Sequence, residues 1–251
     1  MLNITKEILE IPRRKLLRAC LGHPDHKIKK VVESLKTQGF WIFEKYWDSN
    51  KVLMARQEID KLCDSHNVPN SWTDAEKSDH RFFRAENHHP IFAEFLHDPF
   101  IEKVRKYYTG REKADKFVLA AKLLSKANNK GSGGGWHMDS PFSLQFKAFL
   151  FLSDVKEQNG PLQVIPETRR NLTRLKLEIQ GLKKPGQYRF SNEEGEEISL
   201  RCKGIKSFTL PAGSLVLANV SALHRGKPIQ NGERYALTLY CGDPRITEKL
   251  V

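Results

Sequence analysis

SGGGWHMDSPFSLQFKAFLFLSDV, residues 132–155, runs from a cluster of glycines through a histidine and an aspartate two positions apart into a long apolar segment. In an extended chain residues i and i+2 share a face, so His137 and Asp139 point together while Trp136 and Met138 turn the other way, into packing. The glycines before the pair allow the strand end to turn sharply. QFKAFLFLSDV, after it, reads as a buried strand. Similar short runs surround it: KFVLAAKLLSKA before, and GPLQVIP, IKSFTLP, GSLVLANV and RYALTLYCG after, punctuated by Gly, Pro and Asn. Strands in that number behind a helical front predict a mainly β fold, an antiparallel jelly roll with α-helices packed on its outside.

The front of the chain carries the helical signals. DHKIKKVVESLKTQG spaces Ile28, Val31, Val32 and Leu35 at helical intervals, with Asp25 as N-cap and Gly39 as stop. FWIFEKYW then reads as a strand, and Asp48 or Ser49 opens a second helix. DPFIEKVRKYYTG starts a third with Pro in its first turn and ends it at Gly110. We expect one domain over residues 1–251, with a helical support region at 1–112 and a β core at 113–245. Residues 167–204 interrupt that core, and an insertion of this size is more often a functional lid than an idle loop.

His-x-Asp alone is a weak signal, since composition gives ~0.4 such pairs by chance. His23 and Asp25 form another, in a polar turn where the aspartate is wanted as a helix cap. The pair at 137 and 139 differs because VLANVSALHRGKPIQNGERYALTLY brings His224 at the end of one strand and Arg234 at the start of the next. Two histidines and a carboxylate on one face of a metal form the facial triad of non-haem Fe(II) oxygenases, with positions left open. The keto oxygen and C1 carboxylate of 2-oxoglutarate can take two of these, leaving one for O2. The far carboxylate of that cosubstrate then needs a buried cation, and the planar fork of Arg234 suits it.

WHMDS, KAFLFLSDV, NGPLQVIPETRR and HRGKPIQNGERYALTLY together resemble the phytanoyl-CoA dioxygenase family of Fe(II)- and 2-oxoglutarate-dependent oxygenases. The resemblance covers roughly residues 115–242, with an echo in LKTQGFWIFEKYW. It implies a double-stranded β-helix with His137, Asp139 and His224 as iron ligands and Arg234 on the cosubstrate. PETRR departs from the Gly-Ser-His turn common in the family, which changes a loop and no ligand. Related halogenases replace the carboxylate by a small residue to admit halide. Asp139 fills that position, so hydroxylation or another oxidation is expected rather than halogenation.

Further site residues follow from strand alternation. Ala236, Thr238 and Tyr240 share the face of Arg234, which makes Thr238 a candidate hydrogen-bond donor to the cosubstrate. Lys122 groups with Leu124 and Lys126, and Lys122 is a candidate second cation for it. Ser140, Phe142 and Gln145, just past the metal pair, are candidates for substrate contact. His88 and His89 precede Pro90 and read as a surface turn. Phe40, Trp41, Phe43, Tyr46 and Trp47 read as core or interface, and Trp72, Phe82 and Phe83 as a possible pocket mouth.

The chain has 251 residues and a net charge of +12, enough length to bury a full core. Its four cysteines are far apart, with no zinc-knuckle spacing, and read as reduced thiols of a cytoplasmic protein. The N-terminus lacks a secretory apolar region, and no segment approaches the roughly 20 apolar residues of a membrane span. Residues 101–130 hold nine Lys or Arg against three acids, and RRNLTRLK adds a second basic cluster. No nucleic-acid-binding motif accompanies them, so a small-molecule substrate is expected, with an anionic one favoured by the clusters. A monomer and a homodimer are both compatible with the sequence. Two other readings stay open: an oxygenase acting on a nucleotide or other phosphorylated substrate, and a cupin-like metal- or ligand-binding barrel without oxygen chemistry.

Overall fold

Three aspartates start the N-terminal helices. In the structure, a computed structural model that describes residues 12, 14–16, 18–112, 114–139 and 146–242, the Asp25 carboxylate accepts from the Ile28 N–H at 2.8 Å and opens α1 (His26–Thr37). Asp48 does the same for α2 (Ser49–Asp64), accepting from Asn50 and Lys51. His89 Nδ1 accepts from the Ile91 N–H and caps α3 (Pro90–Leu96), and Asp98 caps α4 (Pro99–Thr109), which ends at Gly110. Each cap satisfies N–H groups that the first turn leaves without a partner.

The apolar faces of these helices pack on a large antiparallel sheet. Ile28, Val31 and Leu35 of α1 and Ala55 and Ile59 of α2 are buried against Val118, Ala120, Ala148, Leu150, Leu215 and Leu237. The sheet contains β1 (Phe40–Phe43), β2 (Ser71–Thr73), β3 (Asp79–Phe83), β4 (Asp115–Leu124), β5 (Phe146–Phe151), β8 (Leu215–Ala218) and β10 (Glu233–Gly242). Their order is β1-β8-β5-β10-β4-β3-β2. A smaller sheet, ordered β7-β6-β9, joins β6 (Leu162–Ile165), β7 (Lys206–Phe208) and β9 (Leu223–Gly226). The two sheets face each other across a second apolar layer that includes Phe151, Leu162, Val164, Phe208 and Val216. This is the double-stranded β-helix. The N-terminal region is not purely helical, because β1, β2 and β3 extend the large sheet at both edges.

Strand β10 sets the geometry of the interior. It pairs with β4 along its whole length, from Glu233 opposite Leu124 to Gly242 opposite Asp115, and with β5 from Ala236 opposite Phe151. One parity of β10 (Arg234, Ala236, Thr238, Tyr240) therefore faces the space between the sheets, and Tyr235, Leu237 and Leu239 face the helices.

Residues 167–204 are bonded into the body of the fold. They contain α5 (Asn171–Ile179) and α6 (Asn192–Arg201). Between these helices, Tyr188 accepts from the Met138 N–H and the Phe190 N–H donates to the Trp136 carbonyl. Trp136, Met138, Leu177, Phe190, Ile198 and Leu223 form one buried cluster. Gly195 of α6 lies flat on the indole, and a Cβ there would come within 2.4 Å of Trp136 Cδ1.

Three arginines of the basic clusters, Arg105, Arg169 and Arg174, turn inward. Arg105 is buried, pairs with Glu102 at 2.7 Å and donates to the carbonyls of Arg111 and Glu112. Arg169 donates to Pro166 and Lys36 carbonyls, and Arg174 to those of Thr168 and Ser221. All four cysteines are free thiols. No helix among the described residues is long and apolar enough to cross a membrane. Trp72 does not enter the interior: it lies exposed on β2 under the Arg81 guanidinium, and Phe82 belongs to the helical-side core.

Candidate metal centre

His137 and His224 are directly opposed. Each donates its N–H to the other's carbonyl at 2.9 Å, so their side chains leave the same face with ring centroids 4.3 Å apart. Asp139, two positions on, reaches that face as well, its N–H bonded to the Val220 carbonyl. The three side chains offer ligand atoms that all lie within 4.8 Å of one another. Trp136 and Met138 take the opposite side and are buried.

Hydrogen bonds fix how the imidazoles present themselves. His137 Nδ1 donates to the Gly135 carbonyl and His224 Nδ1 to the Ala222 carbonyl, both at 2.9 Å. A carbonyl only accepts, so the proton sits on Nδ1 and each Nε2 lone pair is free for a metal. Burial, with the nearby His224, pushes the His137 pKa down to about 3, and burial lowers that of His224. Both rings are therefore neutral at ordinary pH, the form that ligates. Burial alone would raise the Asp139 carboxyl, yet the Lys147 ammonium outweighs it and holds it well below the usual carboxylate range. The Lys147 ammonium lies 2.5 Å from Asp139 Oδ2 and pairs with it, which leaves Oδ1, 3.6 Å from His137 Nε2, facing the histidines. Two neutral Nε2 atoms and an ionised carboxylate with an open lone pair are a donor set that fits a divalent first-row metal with sites left over.

The glycine run makes room for this. Gly133 has φ +87°, and a Cβ on it would stand 2.2 Å from His137 Cε1. No other residue lets the backbone pass so close to the imidazole in a left-handed conformation.

A cavity of about 250 Å³ opens from the three ligands. Arg234 lines it, 4% exposed, with Nε and Nη1 buried and without hydrogen-bond partners among the described residues. Burial pushes its pKa down to about 10; Asp79 works against this and Arg81 adds to it. It remains a cation, and leaving guanidinium donors unmatched inside a protein costs several kcal/mol, on the order of the penalty for a buried ion. A carboxylate docked on the fork removes that cost. Thr238 and Ala236 continue the wall from Arg234. Arg81 lies beside them, paired with both oxygens of Asp79.

Lys122 is not part of this site. Its Nζ donates to Asp60 of α2 at 2.6 Å and lies over the Tyr235 ring, on the helical side of the sheet. On β4 the cavity face belongs to Leu119, Ala121 and Leu123, the parity opposite to the one that carries Lys122. Ser140, Phe142 and Gln145 lie outside the described residues. Sequence reading passed over Lys147, Arg81 and Arg189, all of which line the cavity. Lys147 was legible, because alternation in KAFLF groups it with Phe149 and Phe151. Nothing local marks Arg81, or Arg189, whose Nη1 reaches the Gly133 carbonyl from the insertion.

A family-wide sequence profile for phytanoyl-CoA dioxygenase (PhyH) matches residues 35–235. Curated proteins yielded no significant sequence match. Among solved structures, the fold is similar to the epimerase SnoN in complex with Fe3+, alpha ketoglutarate and nogalamycin RO, at 14% identity and TM-score 0.64 over 88% of this chain and 85% of that one. It is similar to HygX from Streptomyces hygroscopicus with nickel and 2-oxoglutarate, at 13% identity and TM-score 0.59 over 86% and 87%. EctD from S. alaskensis with bound Fe matches at 17% identity and TM-score 0.61 over 85% and 76%.

Proposed function

Because this chain belongs to the phytanoyl-CoA dioxygenase family and is an Fe(II)- and 2-oxoglutarate-dependent oxygenase of small molecules, we propose that it hydroxylates or otherwise oxidises a C–H bond of a small specialised metabolite. Oxidation is coupled to the O2-dependent conversion of 2-oxoglutarate into succinate and CO2, with one oxygen atom of O2 entering succinate and the other the product or water. His137, Asp139 and His224 hold the iron, and Arg234, with Thr238 beside it, holds the far carboxylate of the cosubstrate. Bound iron with 2-oxoglutarate supplies the oxidising power.

The protein positions the partners. The Gly135 and Ala222 carbonyls orient the imidazoles, and the Arg234 fork sets how far along the cavity the cosubstrate lies. Leu119, Ala121, Leu123 and Phe151 line its walls and keep them dry. The observation that carries this reading is Arg234: a buried cation with two donors unbonded among the described residues, in the same cavity as the three ligand atoms. A cupin-like barrel that only binds metal has no use for it. Asp139 in the third ligand position supports oxidation over halide transfer. The cavity volume lies just below the range of ligand pockets, about 300–1,000 Å³, which supports a small substrate over an acyl-CoA. The inward-turned arginines of both basic clusters support a small molecule over a nucleic acid.

The ligands bound in the similar structures, nogalamycin RO for SnoN and hygromycin B for HygX, support a substrate from specialised metabolism. The test is succinate formation from 2-oxoglutarate with Fe(II) and O2, first alone and then with a panel of small acids, amino acids and glycosides. We expect slow uncoupled turnover accelerated by one class, and none in His224→Ala. Undiminished turnover in that variant would overturn the ligand assignment.

A further inference from the structure

Lys147 is a buried cation in the wall of the metal cavity. It stands on β5 between Tyr240 of β10 and Ala218 of β8, with its side chain 8% exposed. Its neighbours on the same face of the strand are Phe149 and Phe151. The ammonium lies 3.8 Å from the centroid of the Tyr240 ring and 2.5 Å from Asp139 Oδ2. Asp139 is the only acid among the described residues that line the cavity. An ammonium taken out of water is tolerable here because that carboxylate and the ring face it.

This arrangement constrains how Asp139 can serve a metal. Its Oδ1 lies 3.6 Å from His137 Nε2, and its Oδ2 lies 3.7 Å from His224 Nε2 with the ammonium alongside. A metal that took both oxygens would have to displace Lys147 from its one acidic partner in the cavity. We infer that Lys147 is a positioning residue, confining Asp139 to ligation through one oxygen and so keeping open the coordination positions that a 2-oxoglutarate chelate requires. The inference rests on the metal-centre reading above. Charge acts in the same direction. A fixed cation beside the ligands disfavours a second cation and favours a dianion, so removing it leaves metal binding unchanged or tighter and weakens the cosubstrate.

The test uses the whole chain without O2, with Co(II) as the metal probe, in wild type, Lys147→Met, Lys147→Gln and Lys147→Arg. Wild type is titrated first with Co(II) and then with 2-oxoglutarate; failure at this stage refutes the metal-centre reading itself, before any variant is compared. For Lys147→Met and Lys147→Gln we expect Co(II) affinity equal to or tighter than wild type. We expect a changed visible Co(II) absorption before cosubstrate is added, and at least tenfold weaker 2-oxoglutarate binding. Lys147→Arg should restore both. A merely structural lysine would lower the melting temperature and leave the Co(II) spectrum and 2-oxoglutarate affinity alone. Cosubstrate affinity within twofold of wild type in the folded neutral variants would overturn the inference, as would Co(II) binding that falls while cosubstrate affinity holds.

Discussion

Replacing Gly133 by alanine should damage the metal centre far more than replacing Gly135, although the two backbones are almost equally strained. Their φ angles are +87° and +95°, so each alanine pays a similar conformational penalty, ~1–2 kcal/mol. The difference lies in what the new methyl meets. At Gly135 nothing stands within 4 Å, whereas at Gly133 the methyl would lie 2.2 Å from His137 Cε1, 3.0 Å from Nδ1 and 3.1 Å from Nε2. Ordinary carbon contacts are about 3.5–4.0 Å, so the ring must retreat by about 1.3 Å or rotate out of its bond to the Gly135 carbonyl. Loss of an outer-shell hydrogen bond alone typically weakens a metal site about 10–100-fold. With the ligand itself displaced, Gly133→Ala should weaken Ni(II) binding about hundredfold, equivalent to ~2.8 kcal/mol. Gly135→Ala should bind within about threefold of wild type while losing comparable thermal stability. Calorimetric Ni(II) titration and a melting curve on each variant separate the two terms. Equal metal affinities would refute the packing argument, because strain is common to both variants and the contact is not.

Three further outcomes follow from the same geometry. Lys122→Met should leave 2-oxoglutarate affinity within about twofold and cost ~0.5–1 kcal/mol of stability from the lost Asp60 pair; a tenfold loss of cosubstrate affinity would return Lys122 to the site. Gly195→Ala places a methyl 2.4 Å from Trp136 Cδ1. It should destabilise by ~1–3 kcal/mol in urea unfolding despite alanine's higher helix propensity, and a stabilised variant would contradict the close approach. Glu102 is opposed by its own burial, but Arg105 and Lys116 bring its pKa down to about 2 from 4.5. A carboxyl lowered on folding contributes stability that is fully present above its unfolded pKa. That stability is lost as pH falls from 4.5 toward 2. After discount for its partial exposure the contribution is ~1–2 kcal/mol, so Glu102→Gln should flatten the acid limb of a stability profile over that window and leave activity near neutrality unchanged.

The residues that were legible in the sequence are those whose partners lie two positions away or on a regular strand. His137 and Asp139 share a face because the chain is extended there, and Arg234, Thr238 and Tyr240 share one because β10 is a ten-residue strand. Capping aspartates at 25 and 48, and the proline in the first turn of α4, announce their helices for the same local reason. Lys122 shows where local reading stops. Alternation sorts β4 into two faces, but which face looks inward is settled by Asp60, on a helix far away in sequence. The bond between Trp136–Met138 and Tyr188–Phe190 is likewise tertiary, and it joins the expected lid to the metal-ligand segment. Arg81 stands on a short strand whose place between β2 and β4 is set by its pairing with β4. No pattern within five residues reports that.

The most direct test of the account is an anaerobic titration of the apoprotein with Fe(II) and then 2-oxoglutarate, following the weak visible charge-transfer band of a bidentate keto-acid chelate, in wild type and Arg234→Ala. The account predicts a band that needs both additions and, in the variant, a much higher 2-oxoglutarate concentration for the same amplitude. Stoichiometric iron without a band, or the same cosubstrate dependence in both proteins, would contradict it.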